Sequence, residues 1–175
     1  MSPGFRAGIV LAGGQGRRMG GPKATIEFHG VTLVERATTI LAGVGCDPVV
    51  VADQGDDGPL AALAEALTDR TEFEVFVLAC DLPLAGPVVA RLAQLPAGAA
   101  IAVDGDGREQ PLCARWPRAV TSESAQQLIA DGELRMSALV DAIDPEFVLA
   151  TADELLNVNT PQDLERARAL SASSR

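Results

Sequence analysis

Gly8-Ile9-Val10-Leu11-Ala12-Gly13-Gly14-Gln15-Gly16-Arg17-Arg18-Met19-Gly20-Gly21-Pro22-Lys23 opens with a short apolar run and breaks into glycines and bases. The run reads as a buried strand feeding a loop at the sheet edge. Glycines let a backbone approach a ligand and turn several N–H groups inward, and Arg18 and Lys23 can neutralise phosphate oxygens. Two better-known loops are excluded. A Walker A loop needs G-x-x-x-x-G-K, but Pro22 follows Gly21 and puts the lysine one place late. A dinucleotide fingerprint needs G-x-G-x-x-G, but Met19 stands where the third glycine belongs. Lys23 is the only lysine beside thirteen arginines. A compact ammonium next to a glycine loop suits a point-charge phosphate contact.

Outward from the loop, apolar strands alternate with amphipathic stretches. Helices are expected over Val31–Val44, Pro59–Leu67, Pro87–Leu95, Ser122–Ala130, Leu134–Ala142 and Pro161–Leu170. Extended segments are expected over Pro48–Ala52, Phe73–Cys80, Ala99–Val103, Pro111–Ala114 and Glu146–Ala150, with a turn at Asp104–Gly107. Continuous apolar strands between helices imply a three-layer α/β fold, a mostly parallel sheet with helices on both faces. At roughly 150 residues per domain, the 175-residue chain is expected to form one domain over 1–170, followed by a loose tail at 171–175.

The net charge is −10, yet no acidic residue precedes Glu27, while Arg6, Arg17, Arg18 and Lys23 do. A small polyanion is drawn to that basic start. Long polyanions and anionic membranes are repelled by the remainder, so neither nucleic acid nor membrane is an expected partner. Cys46, Cys80 and Cys113 form no C-x-x-C pair. Buried, reduced thiols and a cytoplasmic location are expected. No apolar run has the length or layout of a membrane span or a signal peptide.

In open α/β sheets ligands bind beyond the carboxyl ends of strands. Gly13–Lys23, Asp53–Gly58 and Asp81-Leu82-Pro83 all follow expected strands, so they should converge on one edge. Asp81 ends the apolar run Val75–Cys80. A carboxylate there suits a hard cation such as Mg²⁺, which needs few protein ligands because water and phosphate complete its shell. The competing role for Asp81 is N-cap of the following helix. Asn157 and Asn159, the only asparagines, lie two apart and so share a side of an extended chain. The competing role for that segment is a turn capping the last helix, which Thr160-Pro161 explains by itself. His29 and Asp104, Asp106 and Glu109 read as turn and loop residues. With one histidine, no nucleophile–base pair of a hydrolase is on offer.

Leu11–Lys23, together with Gly58–Ala62, Ala79–Pro83, Gln110-Pro111-Leu112 and Asn157-Val158-Asn159-Thr160-Pro161, resembles the nucleotidyltransferases that include molybdenum cofactor guanylyltransferase, the MobA family. The blocks span nearly the whole chain in order, and the resemblance implies a Rossmann-like nucleotidyltransferase fold. CMP-transferring relatives typically read Leu-Ala-Ala-Gly and Asp-x-Asp-Thr-Pro. This chain reads Leu-Ala-Gly-Gly and Asn-Val-Asn-Thr-Pro, which favours GTP. The resemblance implies GTP contacts at Leu11, Ala12, Gly13, Gly14, Lys23, Asp53 and Asp81. Lys23, Asp81 and Arg18 would carry catalysis, with Mg²⁺ on Asp81. The pterin substrate, Mo-molybdopterin, would lie near Gln110, Pro111, Leu112, Arg135, Asn157 and Asn159. Transient contact with molybdoenzyme maturation proteins is a further implied partner class. The stretch Val51–Gly58 is shorter than the family's. Asp53 is the best match for its base-reading acid, with Asp56 and Asp57 as alternatives. Alternatives to GMP transfer are a CTP, phospholactate or sugar-phosphate enzyme, and a non-catalytic nucleotide-binding maturation factor.

Overall fold

The computed structural model describes residues 6–13, 25–55 and 57–173. Gly14, Arg18, Lys23 and Asp56, all named above, lie outside these residues. The elements run β1 (Arg6–Leu11), β2 (Glu27–Phe28), β3 (Val31–Thr32), α1 (Leu33–Gly43), β4 (Val49–Ala52), α2 (Gly58–Leu67), β5 (Glu74–Ala79), α3 (Gly86–Gln94), β6 (Ala100–Val103), β7 (Glu109–Pro117), α4 (Arg118–Ala130), α5 (Met136–Ile143), β8 (Glu146–Leu149) and α6 (Pro161–Ser173).

A six-stranded sheet has the order β4-β1-β5-β7-β6-β8. β7 is antiparallel to both neighbours, and the other five strands run in one direction. The carboxyl ends of those five therefore share an edge with the beginning of β7. Strand side chains alternate between two helical layers. Ala7, Ile9, Leu11, Val75 and Val77 pack towards α2, α4 and α5. Val10, Phe76 and Leu78 pack towards α1, α3 and α6. The expected three-layer, mostly parallel sheet is thus present. Complete burial of a Leu, Ile, Phe or Val side chain stabilises by about 1.5–3 kcal/mol.

α1 begins at Leu33, where the sequence pattern placed a helix from Val31. Thr32 caps it: its Oγ1 accepts from the Glu35 amide at 3.2 Å, and the Glu35 carboxylate accepts from the Thr32 amide at 2.7 Å. Such a capping box halts the helix at its own N-cap. Val31 and Thr32 instead pair with Phe28 and Glu27 across the His29-Gly30 turn. Both turn residues have positive φ, as a tight hairpin requires. α1 packs close to β1 because Gly8 has no Cβ; one built there would stand 3.1 Å from Leu41 and 3.2 Å from Cys46.

β7 covers nine residues where the pattern suggested only Pro111–Ala114. The extension carries Arg115, a charge that interrupts the apolar run yet is 1% exposed. Its guanidinium donates to the carbonyls of Leu95 and Gly98, each at 2.9 Å, and to that of Pro96. Glu74 lies 3.7 Å away. These carbonyls leave the end of α3, so Arg115 closes the sheet edge opposite the ligand edge. α6 extends through Ser173, so Ser171–Ser173 continue the helix where a loose tail was expected. Among the described residues no helix is long and apolar enough to cross a membrane.

Candidate active site

The shared strand edge is tied together by backbone. The Ala12 amide donates to the Ala52 carbonyl at 2.9 Å, and the Cys80 amide to the Leu11 carbonyl at 3.0 Å. Leu11 is buried, while Ala12 and Gly13 are half-buried at the edge. The glycine-rich loop leaves the described chain at Gly13 and re-enters at Thr25. Its exit is anchored. The Leu33 amide donates to the Ile26 carbonyl at 2.9 Å, the Arg168 guanidinium donates to the Glu27 carbonyl at 2.8 Å, and Phe28 is 1% exposed.

Asp81 directly follows β5 and is half-buried. The N-cap role does not fall to it. α3 begins at Gly86, and its N-cap position is Ala85, with no side-chain cap. The turn that carries Asp81 is closed by the Leu82 amide on the Ala79 carbonyl at 3.2 Å and the Ala85 amide on the Leu82 carbonyl at 3.2 Å.

Asn157, Val158 and Asn159 reach the same place from the other end of the chain. The Val158 amide donates to the Asp81 carbonyl at 2.8 Å. Val158 is fully buried among α1, α3 and α6 side chains, whereas Asn157 is half-buried and Asn159 exposed. That alternation is the one expected of extended chain. The helix cap that competed for this segment belongs to Thr160: its Oγ1 accepts from the Asp163 amide at 3.2 Å, and Asp163 accepts from the amides of Thr160 and Asn159. The Thr160 hydroxyl beside Asp163 holds its carboxyl below the ordinary value.

Gln110, Pro111 and Leu112 begin β7 and are half-buried. Against β6, Ala102 faces Gln110 but Ile101 faces Ala114, so Pro111–Cys113 bulge out of that ladder. Pro111 has no N–H to donate, and bulges commonly re-aim chain beside active sites. Arg135 stands at the N-cap position of α5. A two-residue link, Asp144-Pro145, joins α5 to β8. The Arg135 guanidinium pairs with Glu133 at 2.5 Å, and that contact holds the Glu133 carboxyl down at about 2.

Asp53 is exposed, and its carboxylate accepts from the Gly55 amide at 3.2 Å in a local turn; Asp57 is exposed too. Two residues escaped the sequence reading. Gln54 lies against Gly13: a Cβ on Gly13 would stand 2.4 Å from the Gln54 Cβ, Cγ and Cδ. Its position after an apolar strand was the available signal. Arg36 touches the Pro83 carbonyl and the Phe28 ring, and on an amphipathic helix nothing distinguishes it from an ordinary surface arginine.

A family model described as a MobA-like NTP transferase domain matches residues 8–57 and 49–145. A protein of Mycobacterium marinum named probable molybdenum cofactor guanylyltransferase is 36% identical, with 90% of each chain covered. Its counterpart in Mycobacterium tuberculosis H37Rv, of the same name, is 37% identical over the same shares. Among solved structures, molybdopterin-guanine dinucleotide biosynthesis protein A of Archaeoglobus fulgidus superposes with a TM-score of 0.70 at 20% identity, covering 95% of this chain and 99% of that one. The 2-C-methyl-D-erythritol 4-phosphate cytidylyltransferase of Thermus thermophilus gives 0.66 at 21% identity, over 94% and 98%. The two structures share the fold; the family follows from the sequence match and from the relatives above 30% identity, and the chain belongs to the MobA-like NTP transferase domain family.

Proposed function

We propose that this chain transfers GMP from GTP to Mo-molybdopterin, yielding molybdopterin guanine dinucleotide and pyrophosphate, in the cytoplasm and as one domain. The observation that carries the reading is the 36–37% identity, over 90% of both chains, to proteins named probable molybdenum cofactor guanylyltransferase. The convergence of Gly13, Asp53, Asp81, Gln110 and Asn157 on one sheet edge supports it.

In the reaction an oxygen of the pterin's phosphate monoester bonds to the α-phosphorus, and the bond to the β-phosphate oxygen breaks. Pyrophosphate leaves with that electron pair. A monoester with a second pKa near 6 is largely dianionic at neutral pH, so no general base is needed. What the protein must supply is alignment of two anions and relief of their repulsion. Amides of Leu11–Gly14, with Lys23 and Arg18, are assigned to the triphosphate. Gln110–Leu112, Arg135, Asn157 and Asn159 are assigned to the pterin, and Asp53 to the base.

The donor set at Asp81 fits Mg²⁺. Among the described residues no group of three or more His, Cys, Asp and Glu could hold a metal. A half-buried carboxylate at the end of β5, on the edge where the chain leaves Leu11–Gly13, suits an ion that takes one or two carboxylates and completes its shell with phosphate and water. When bound, the ion adds positive charge where negative charge gathers at the α-phosphate.

Pyrophosphate release measured with GTP, CTP, ATP and UTP, each with and without molybdopterin, tests the reading. Release that needs both GTP and the pterin is expected. Preference for CTP, another acceptor, or binding without release would replace it.

A further inference from the structure

We propose that Arg36 is a positioning residue that couples the exit of the glycine-rich loop to the turn carrying Asp81. The inference rests on the reading above for what the two loops do, and on the structure for how they are joined.

Arg36 lies in the first turns of α1, whose start is fixed by the Thr32–Glu35 capping box. Its Nε donates to the Pro83 carbonyl at 3.1 Å, two residues beyond Asp81. Its guanidinium carbon stands 5.9 Å from the centre of the Phe28 ring. Phe28 is buried and ends β2, three residues after the described chain resumes at Thr25. One planar cation therefore touches both segments, through a charge-assisted hydrogen bond on one side and a cation–π contact on the other.

The geometry of the arginine fork matters. The Asp81 turn is held at its start by the Val158 amide on the Asp81 carbonyl, and further on the Ala85 amide closes it onto Leu82. Arg36 reaches the backbone of this turn from a helix packed on the sheet. A lysine could donate to Pro83 or lie over Phe28, but its point charge cannot do both at once. The side chain also lines a cavity of about 390 Å³ shared with Leu84, Pro87, Thr151 and Asp153. Shortening it there leaves the packed core intact.

The test compares wild type, Arg36→Gln and Arg36→Lys in the full chain. Losing a hydrogen bond from a charged donor corresponds to roughly 10- to 150-fold. Arg36→Gln should lower kcat by at least about 10-fold and raise the Mg²⁺ concentration for half-maximal rate. GTP affinity without metal should stay within about two-fold. Arg36→Lys should fall between the two. Hydrogen exchange of the Leu82 and Ala85 amides, read without any substrate, should quicken in Arg36→Gln while the melting temperature holds. Unchanged exchange, or an activity loss that merely follows melting temperature, overturns the proposal. If Arg36→Gln does not fold, the same exchange measurement on Arg36→Lys decides. A wild type that makes no product from GTP and the pterin defeats the functional reading alone, because exchange still reports the coupling.

Discussion

The Val158 amide and the Asp81 carbonyl are 2.8 Å apart, so residues 77 positions distant in the chain share one hydrogen bond at the strand edge. Val158 is sealed into the core, and its flanking asparagines are held outward beside the turn of Asp81. The groups assigned to the pterin and the group assigned to the ion are thereby fixed to one another by backbone.

Asp81→Asn should abolish transfer while leaving the fold and metal-free GTP affinity nearly unchanged. The backbone carbonyl that Val158 uses is retained, and α3 is not capped by this side chain. A neutral amide oxygen is a poorer ligand for a hard cation. Single-turnover product formation across a Mg²⁺ titration, with a melting curve on the same sample, checks this. Normal turnover at ordinary Mg²⁺ would move the ion elsewhere.

Gly13→Ala should weaken GTP binding, because the new methyl would sit 2.4 Å from Gln54, including its Cβ. Side-chain rotation cannot clear a Cβ, so the 53–58 loop must shift; overpacking of this kind costs about 1–3 kcal/mol. Gly13→Ala combined with Gln54→Gly should recover part of the loss, and a double-mutant cycle on GTP affinity measures that coupling. Strict additivity would show that the contact is not the cause.

Arg115→Met should destabilise without touching chemistry. It strips three backbone carbonyls and Glu74 of a donor that is 1% exposed. Removing one partner of a buried charged contact costs about 3–5 kcal/mol. At this chain length that is a fall of roughly 6–20 °C in Tm. Turnover per folded molecule at low temperature should be unchanged, because Arg115 lies at the opposite edge of the sheet.

Burial pushes the thiols of Cys46 and Cys113 up to about 12 from an ordinary 9.0. The folded state therefore favours the neutral thiol. Its contribution is complete below pH 9 and is lost as pH rises from 9 towards 12. The chain has no tyrosine and one lysine, so few other groups titrate in that window. Urea midpoints should hold to about pH 9 and then fall, less so in Cys113→Ala relative to its own neutral value. A thiol reagent at pH 8 should label neither cysteine before unfolding.

The strands and their shared edge were legible because fully buried strands such as Val75–Cys80 read as unbroken apolar runs. What pattern missed was governed by partners distant in sequence. Arg115 breaks the run that β7 continues, and the carbonyls after α3 together with Glu74 make its burial tolerable. Val31 has the spacing of a helix, but the Thr32–Glu35 cap excludes it and gives it to a hairpin. At the site, Asp81 and the Asn157–Asn159 segment stood out by position and rarity. Gln54 and Arg36 did not, since their roles come from contacts with Gly13, Pro83 and Phe28 that no local pattern announces.

The sheet order divides the chain in an unexpected way. β4, β1 and β5 all come from residues before 80, and β7, β6 and β8 from residues 100 onward. The two triplets meet along a single ladder, Glu74–Leu78 against Cys113–Pro117. The proposed donor contacts come from the first triplet and its loops, and the proposed acceptor contacts from the second. The chain passes from one triplet to the other once, through α3, so the proposed nucleotide side and the proposed acceptor side each rest on strands from one continuous half of the sequence.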